Sequence, residues 1–287
     1  MSTSPHSGSQ QARQALADRL REIRLDAGLT ARAIAEAAGW HESKCSRIEH
    51  ARTLPSDADI RAWCTACDAQ DQINDLIATS RAVDSMYVEW RRLQKSGLRR
   101  LQDSKVPLYE ATRHFRVYCS HVIPGFLQTS EYAHALLAAF GAFHGVRDDT
   151  EKAVAARIAR SRVLYEGNRR FALLVEESVL RYRIGDAEVM AGQLAHLLTV
   201  MSLPSISLGV IPFTAERRIW ALEGFNVFDE DLVQVELLTA SLSVTQPSEV
   251  ALYKKGFAKL AEVAVYGLHA RALITAASET VDPPHTR

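Results

Sequence analysis

The sequence predicts a small all-α domain at the N-terminus followed by a larger α+β domain. Three observations carry this. The 287-residue chain is 47% hydrophobic, long enough for about two domains of 100–200 residues and too apolar for global disorder. Between residues 14 and 70, apolar side chains recur at the spacing of short amphipathic helices. From Leu108 the pattern changes, and brief apolar runs bounded by turn residues alternate with helical stripes. The expected organisation is therefore a helical domain over 14–70, a helical connector over 71–107 and an α+β domain over 108–277. Polar tails at 1–13 and 278–287 are expected to be disordered.

In the first domain, Leu16, Leu20, Ile23 and Ala27 mark a helix that stops near Gly28. Thr30 is suited to cap a second helix, because its hydroxyl accepts from an otherwise unpaired backbone N–H. That helix would bury Ile34, Ala35 and Ala38, with Gly39 at the left-handed position beyond its end. His41 is the expected cap of a third helix, with Trp40 and Cys45 placed as a hydrophobic staple. Cys45 and Ile48 then face inward, and Glu42, Ser43, Lys44, Ser46 and Arg47 face outward. A fourth helix follows Leu54-Pro55, capped by Ser56, with Asp57 and Asp59 in its first turn and Ile60, Trp63, Cys64 and Cys67 as its inner stripe.

The stretch GLTARAIAEAAGWHESKCSRIEHARTLPS resembles the Cro/C1-type (XRE family) helix-turn-helix, a lambda-repressor-like fold. The matching pieces are Gly28-Leu29-Thr30, Ile34-Ala35, Ala38-Gly39-Trp40, Ser43-Lys44, Ser46 to Glu49 and Leu54-Pro55-Ser56. The resemblance implies that the third helix enters the major groove of double-stranded DNA. Glu42, Ser43 and Lys44 would meet base edges, and Ser46 and Arg47 either bases or phosphates. Glutamate accepts from cytosine, lysine donates to guanine and serine does either. Thr30 at the start of the second helix, Arg32 beside it and Arg52 with Thr53 in the following loop would meet phosphates. The alternative is an ordinary solvated charged face. Glu49 is expected to pair within the module, since phosphate would repel it.

Lysine plus arginine equals aspartate plus glutamate over the whole chain. The same balance holds between Arg13 and Asp68. A neutral module releases few counterions, so a single copy should bind DNA weakly. That argues for a homodimer on two half-sites, which is also the habit of the family it resembles. The connector shows Ile73, Leu76 and Ile77, then Met86, Val88, Trp90, Leu93, Leu98 and Leu101, at helical spacing, with Pro107 as its break. Its bases, Arg91-Arg92, Lys95, Arg99-Arg100 and Lys105, either supply further phosphate contacts or form a solvated face.

In the larger domain, strands are expected at Phe115–Tyr118, Phe171–Val175, Ile206–Ile211, Phe225–Phe228 and Leu232–Leu238. Helices are expected after a cap at Thr129 or Ser130, from Asp149 to Tyr165, from Asp186 to Met201 and from Pro247 to about Ala277. Val122 to Ala133 resembles the VPGLLQTxEYA signature of the DUF5753 domain, which is fused to such heads in actinobacterial regulators. Glu176 to Arg181, Val189-Met190 with Gln193-Leu194 and His196-Leu197, Val210 to Phe213 and Val233 to Glu236 resemble its later motifs. The resemblance implies a transcription regulator.

Other classes are disfavoured. No run approaches the roughly 18 apolar residues of a membrane span, and MSTSPHSGSQ lacks the apolar core of a secretory signal. A cytoplasmic, nucleoid-associated protein is expected, with its four cysteines reduced. Cys64-x-x-Cys67 invites a redox or zinc reading, but no second ligand pair lies at matching spacing, and both sulfurs fall on a helical apolar stripe. No phosphate loop, nucleophile elbow or H-E-x-x-H motif occurs. His114, His121, His134 and His144 are scattered. The chain is expected not to be an enzyme and to need no cofactor.

Two acids stand out. Glu177 and Glu236 lie at or in apolar strands, where a charge is costly unless paired. One reading pairs them with an arginine such as Arg157, Arg160, Arg162 or Arg181. The other makes them polar anchors of a small-molecule pocket with Gln128, Tyr132, Gln193 and Phe213. The domain would then sense an effector. Its alternative role is a platform for a small partner protein.

Overall fold

The computed structural model describes residues 6–82, 87–89, 97–146, 148–220 and 223–281. The chain divides into two compact units, one of residues 1–87 with 243–251 and one of 88–242 with 252–287. The first is helical and the second carries a mixed sheet, as the sequence predicts.

The first unit contains α1 (His6–Asp26), α2 (Ala31–Ala38), α3 (Glu42–Glu49), α4 (Asp57–Ala66) and α5 (Ile73–Ala82). Their apolar stripes close one core of Leu16, Leu20, Ile23, Ile34, Cys45, Ile48, Ile60, Trp63, Cys64 and Cys67. The Trp63 indole N–H donates to Leu20 O at 3.0 Å, so the largest core side chain carries no unpaired polar atom. Cys64 and Cys67 are free and buried, and burial pushes the Cys64 thiol up to about 11. The pair is core packing.

Two boundaries differ from expectation. α1 begins at His6, inside the segment expected to be a tail. The head also continues past residue 70, because Leu76 and Ile77 of α5 complete its core. The rest of the expected connector is not one helix. It holds strand β1 (Tyr87–Glu89), α6 (Leu98–Asp103) and α7 (Val106–Ala111). Pro107 sits in the first turn of α7, where its missing N–H breaks no helical bond, so it starts a helix rather than ending one. Met86, Trp90, Arg91, Arg92, Leu93 and Lys95 lie outside the described residues.

Beyond α7 the chain adds β2 (His114–Cys119), α8 (Ser130–His144), α9 (Thr150–Arg160), β3 (Arg170–Glu176), α10 (Ala187–Val200), β4 (Ile206–Ile211), β5 (Phe225–Phe228), β6 (Leu232–Glu236), β7 (Ala240–Val244), α11 (Pro247–Ala261) and α12 (Gly267–Glu279), of which the end of β7 and the start of α11 belong to the first unit. The sheet order is β1-β7-β6-β5-β2-β3-β4. β2, β3 and β4 run parallel, and β5 and β6 continue antiparallel beyond β2. Tyr109, Phe115, Phe126, Phe171 and Phe228 form an aromatic centre, with Phe115 stacked on Phe171 at 4.5 Å. The expected helix from Pro247 to Ala277 is broken. Val265 leaves it to exchange backbone hydrogen bonds with Val210 of β4, at 2.9 and 2.8 Å, and Gly267 restarts the helix at φ +54°.

The segment Ile123–Thr129 is held by buried amides. Gln193 donates to Leu127 O at 2.6 Å and accepts from Thr129 N–H at 2.8 Å. Gln193→Ala should cost about 1–3 kcal/mol, because it strands a buried carbonyl and N–H. Chemical denaturation followed through the sheet signal checks this, and a loss well below that range would show that water replaces the amide.

Candidate DNA-binding face

The α2–turn–α3 unit is built from local capping. Thr30 Oγ1 accepts from Ala33 N–H at 3.1 Å, and Gly39 closes α2 at φ +68° with its N–H on Ala35 and Glu36 carbonyls. His41 Nδ1 accepts from Ser43 N–H at 3.3 Å and caps α3. These caps fix the angle at which α3 leaves the turn. Cys45 and Ile48 are buried beneath it, and Glu42, Ser43, Ser46 and Arg47 are exposed on its outer side.

Lys44 departs from expectation. Its ammonium lies 2.6 Å from Asp59 Oδ1 and 4.4 Å from the Trp40 ring centroid, so it ties α3 to α4 instead of standing free for a base edge. Burial would raise the Asp59 carboxyl, but its hydrogen bonds from Lys44 and from Ser56 outweigh this and hold it below the usual range. A depressed carboxylate contributes stability above the unfolded-state value of about 3.9 and loses it as the pH falls through the folded value. Asp59→Asn should therefore flatten the acid limb of head stability. An unchanged limb, followed by amide exchange in α4, would show that the Asp59 carboxylate does not stabilise the head.

Beneath the face, Glu49 receives Arg24 Nε at 2.5 Å and Nη2 at 3.2 Å, with both side chains buried. Glu49 is thus paired within the module, as expected. Arg32 lies exposed beside Glu36 at 3.0 Å, which moderates its charge toward a phosphate. Arg81 pairs with Asp57, and Arg19 with Glu22. Glu22, Glu36, Glu49, Asp57 and Asp59 are thereby taken up by neighbouring bases. Arg47 and Arg52 are exposed and make no ion pair among the described residues. Arg47 O accepts the N–H groups of Arg52 and Thr53 at 2.9 and 3.2 Å, so the loop folds back on the end of α3.

The six side chains expected around a pocket in the second unit fall into separate settings. Gln128, Tyr132 and Gln193 are buried and serve the 123–129 segment. Gln128 donates to Ile123 O at 2.7 Å, and Tyr132 Oη accepts from Ile123 N–H at 3.3 Å. Glu177 pairs with Arg181 at 3.1 Å and accepts from Phe213 N–H at 3.0 Å, while the Phe213 ring is 62% exposed. Glu236 meets Lys105 at 2.7 Å. The polar groups of this set are largely spent on backbone and ion pairs, so they do not converge on a cavity. The ion-pair reading holds for Glu177 with Arg181, and Glu236 takes a lysine where an arginine was expected. Sequence reasoning missed Arg217, which clamps Glu176 bidentately beside the Tyr118 hydroxyl. Among the described residues no cluster of His, Cys, Asp and Glu is suited to a metal, and no helix is long and apolar enough to cross a membrane.

The first unit, with two short helices at a capped turn and an exposed polar face on the second, is a helix-turn-helix domain. Residues 15–76 match the family described as a helix-turn-helix domain, and residues 106–276 match the domain of unknown function DUF5753. The second match spans more than half of the chain, which belongs to the DUF5753 family. No curated protein and no solved structure matches the chain.

Proposed function

We propose that the protein is a sequence-specific transcription regulator of the Cro/C1 (XRE) type whose C-terminal domain senses a small molecule. It binds a two-fold symmetric operator as a homodimer, works in the cytoplasm at the nucleoid and catalyses no reaction. The observation that carries the DNA reading is the outer face of α3. Glu42, Ser43, Ser46 and Arg47 stand exposed over a rigidly capped helix, with the cation of Arg47 uncommitted. Phosphate contacts fall to Thr30, Arg32 and Arg52, which position the helix without reading sequence. A near-neutral head has a small counterion-release term, and one recognition helix reads only a few base pairs, so two copies are required. Footprinting with light scattering tests this. Paired half-sites about one helical turn apart, or a multiple of that, are expected. A monomer protecting one asymmetric half-site contradicts it.

For the C-terminal unit, sensing predicts an effector that changes operator affinity, since allostery requires that linkage. A second reading, a platform for a small partner protein, is favoured by large apolar side chains left in solvent: Trp220 at 75%, Phe213, Leu252 and Leu268. Thermal-shift screening against metabolites, with operator affinity measured for each hit, separates the two. A hit that shifts both supports sensing. The absence of any such hit, with a partner protein that binds and shifts operator affinity, supports the platform.

A further inference from the structure

We propose that the C-terminal unit binds a small oxyanion, a carboxylate or phosphate group carried by a metabolite, at Arg157 and Arg160 of α9. This deepens the sensing reading and rests on it for its biological role.

Arg157 and Arg160 occupy the same face of α9, and Arg160 is only 7% exposed. Neither has a carboxylate in ion-pair range among the described residues. Their partners are neutral acceptors. Arg157 donates to Gln102 Oε1 at 3.2 Å and Gln128 Oε1 at 2.6 Å, and Arg160 donates to Gln102 O at 3.2 Å. The Arg160 guanidinium also lies over the Tyr109 ring, 4.7 Å from its centroid. Lys105 adds a third cation, and its one carboxylate, Glu236, also faces the two arginines electrostatically. Three cations thus face one acid.

Buried like charges are retained only where something offsets them. Their mutual cost shows in Arg157, which burial and the Arg160 charge pull down to about 10. Most N–H donors of the two guanidinium groups have no protein acceptor among the described residues, yet none of these nitrogens is both sealed from solvent and unpartnered. The unpartnered nitrogens, Arg157 Nη2 and Arg160 Nε and Nη2, are therefore not fully sealed from solvent. Gln102 and Gln128 fix both planes, and Gln128 is itself locked by Ile123 O. Two oriented guanidinium groups with idle donors suit bidentate capture of an oxyanion. Because Gln128 belongs to the 123–129 segment, an anion that reorients Arg157 pulls directly on that segment.

The test uses the full chain, titrated with inorganic phosphate and separately with succinate, at ionic strength held constant with sodium chloride. Binding is read by calorimetry and by Tm. A saturable Tm rise with at least one anion is expected, and which one identifies the headgroup. Arg157→Gln and Arg160→Gln should each weaken binding at least about tenfold. Glu236→Gln removes the competing carboxylate from an exposed position and should tighten binding severalfold. That opposite sign is not expected of a merely structural cluster, and it decides the matter if the arginine variants fail to fold. No response beyond matched chloride, or binding indifferent to Glu236→Gln and to whichever arginine variant folds, overturns the site. Anion binding that leaves operator affinity unchanged keeps the site and removes the sensing role. An unrelated ligand that shifts operator affinity while these anions fail to bind does the reverse.

Discussion

Glu49→Ala should destabilise the N-terminal unit by about 3–5 kcal/mol, the cost of leaving a buried charge without its partner. Arg24 would keep its hydrogen bond to Leu29 O at 2.7 Å but lose both contacts to the carboxylate. The pair joins α1 to the end of α3, so the loss should appear first as faster amide exchange in α3 and as weaker DNA binding at every sequence. Replacing both partners with apolar residues, Arg24→Met with Glu49→Leu, should recover much of the stability, because no charge is then buried. A cost for Glu49→Ala below about 1 kcal/mol would place the pair in solvent and contradict its structural role.

Arg47→Ala should weaken specific DNA binding by about 1–3 kcal/mol, roughly 5- to 150-fold, if its guanidinium reads a base. Its stem is exposed and its charge uncommitted, so the fold should be unaffected. The pattern of loss matters more than its size. A base contact relaxes preference at one position of the half-site, whereas a phosphate contact weakens all sequences alike. Arg52→Ala provides the comparison, with uniform weakening and a salt slope reduced by about one. Full affinity in the Arg47 variant would move the reading face away from α3.

The legible parts of the fold were those decided by neighbours in sequence. Thr30, Gly39, His41 and Ser56 sit where capping chemistry places them, because a cap is satisfied within three residues. The misread parts are decided at a distance. Lys44 looked free because Asp59 lies across a loop, and its pairing depends on how α4 returns against α3. The helix expected over 247–277 is interrupted by a strand partner, Val210, that periodicity does not reveal. The pocket set is dispersed for a related reason. Gln128, Gln193 and Glu177 are polar residues in apolar surroundings, and sequence does not tell whether such a group faces a ligand or a backbone atom. Gln193 serves Leu127 and Thr129, more than sixty positions away, and Gln128 serves Ile123 and Arg157. Glu236, an acid at the end of an apolar strand, faces Arg157 and Arg160 of α9, two of the arginines expected, but its close ion pair is with Lys105 of the α6–α7 turn, which the sequence does not place beside it.

Sequence-specific DNA recognition through α3 is tested most directly by selecting bound fragments from a random double-stranded library at near-physiological salt, with the intact protein and Arg47→Ala in parallel. The intact protein should enrich one motif with two-fold symmetric halves, and Arg47→Ala should lose preference at one position in each half. An identical motif with uniformly weaker binding makes Arg47 a phosphate contact; binding that enriches no motif would contradict recognition through α3.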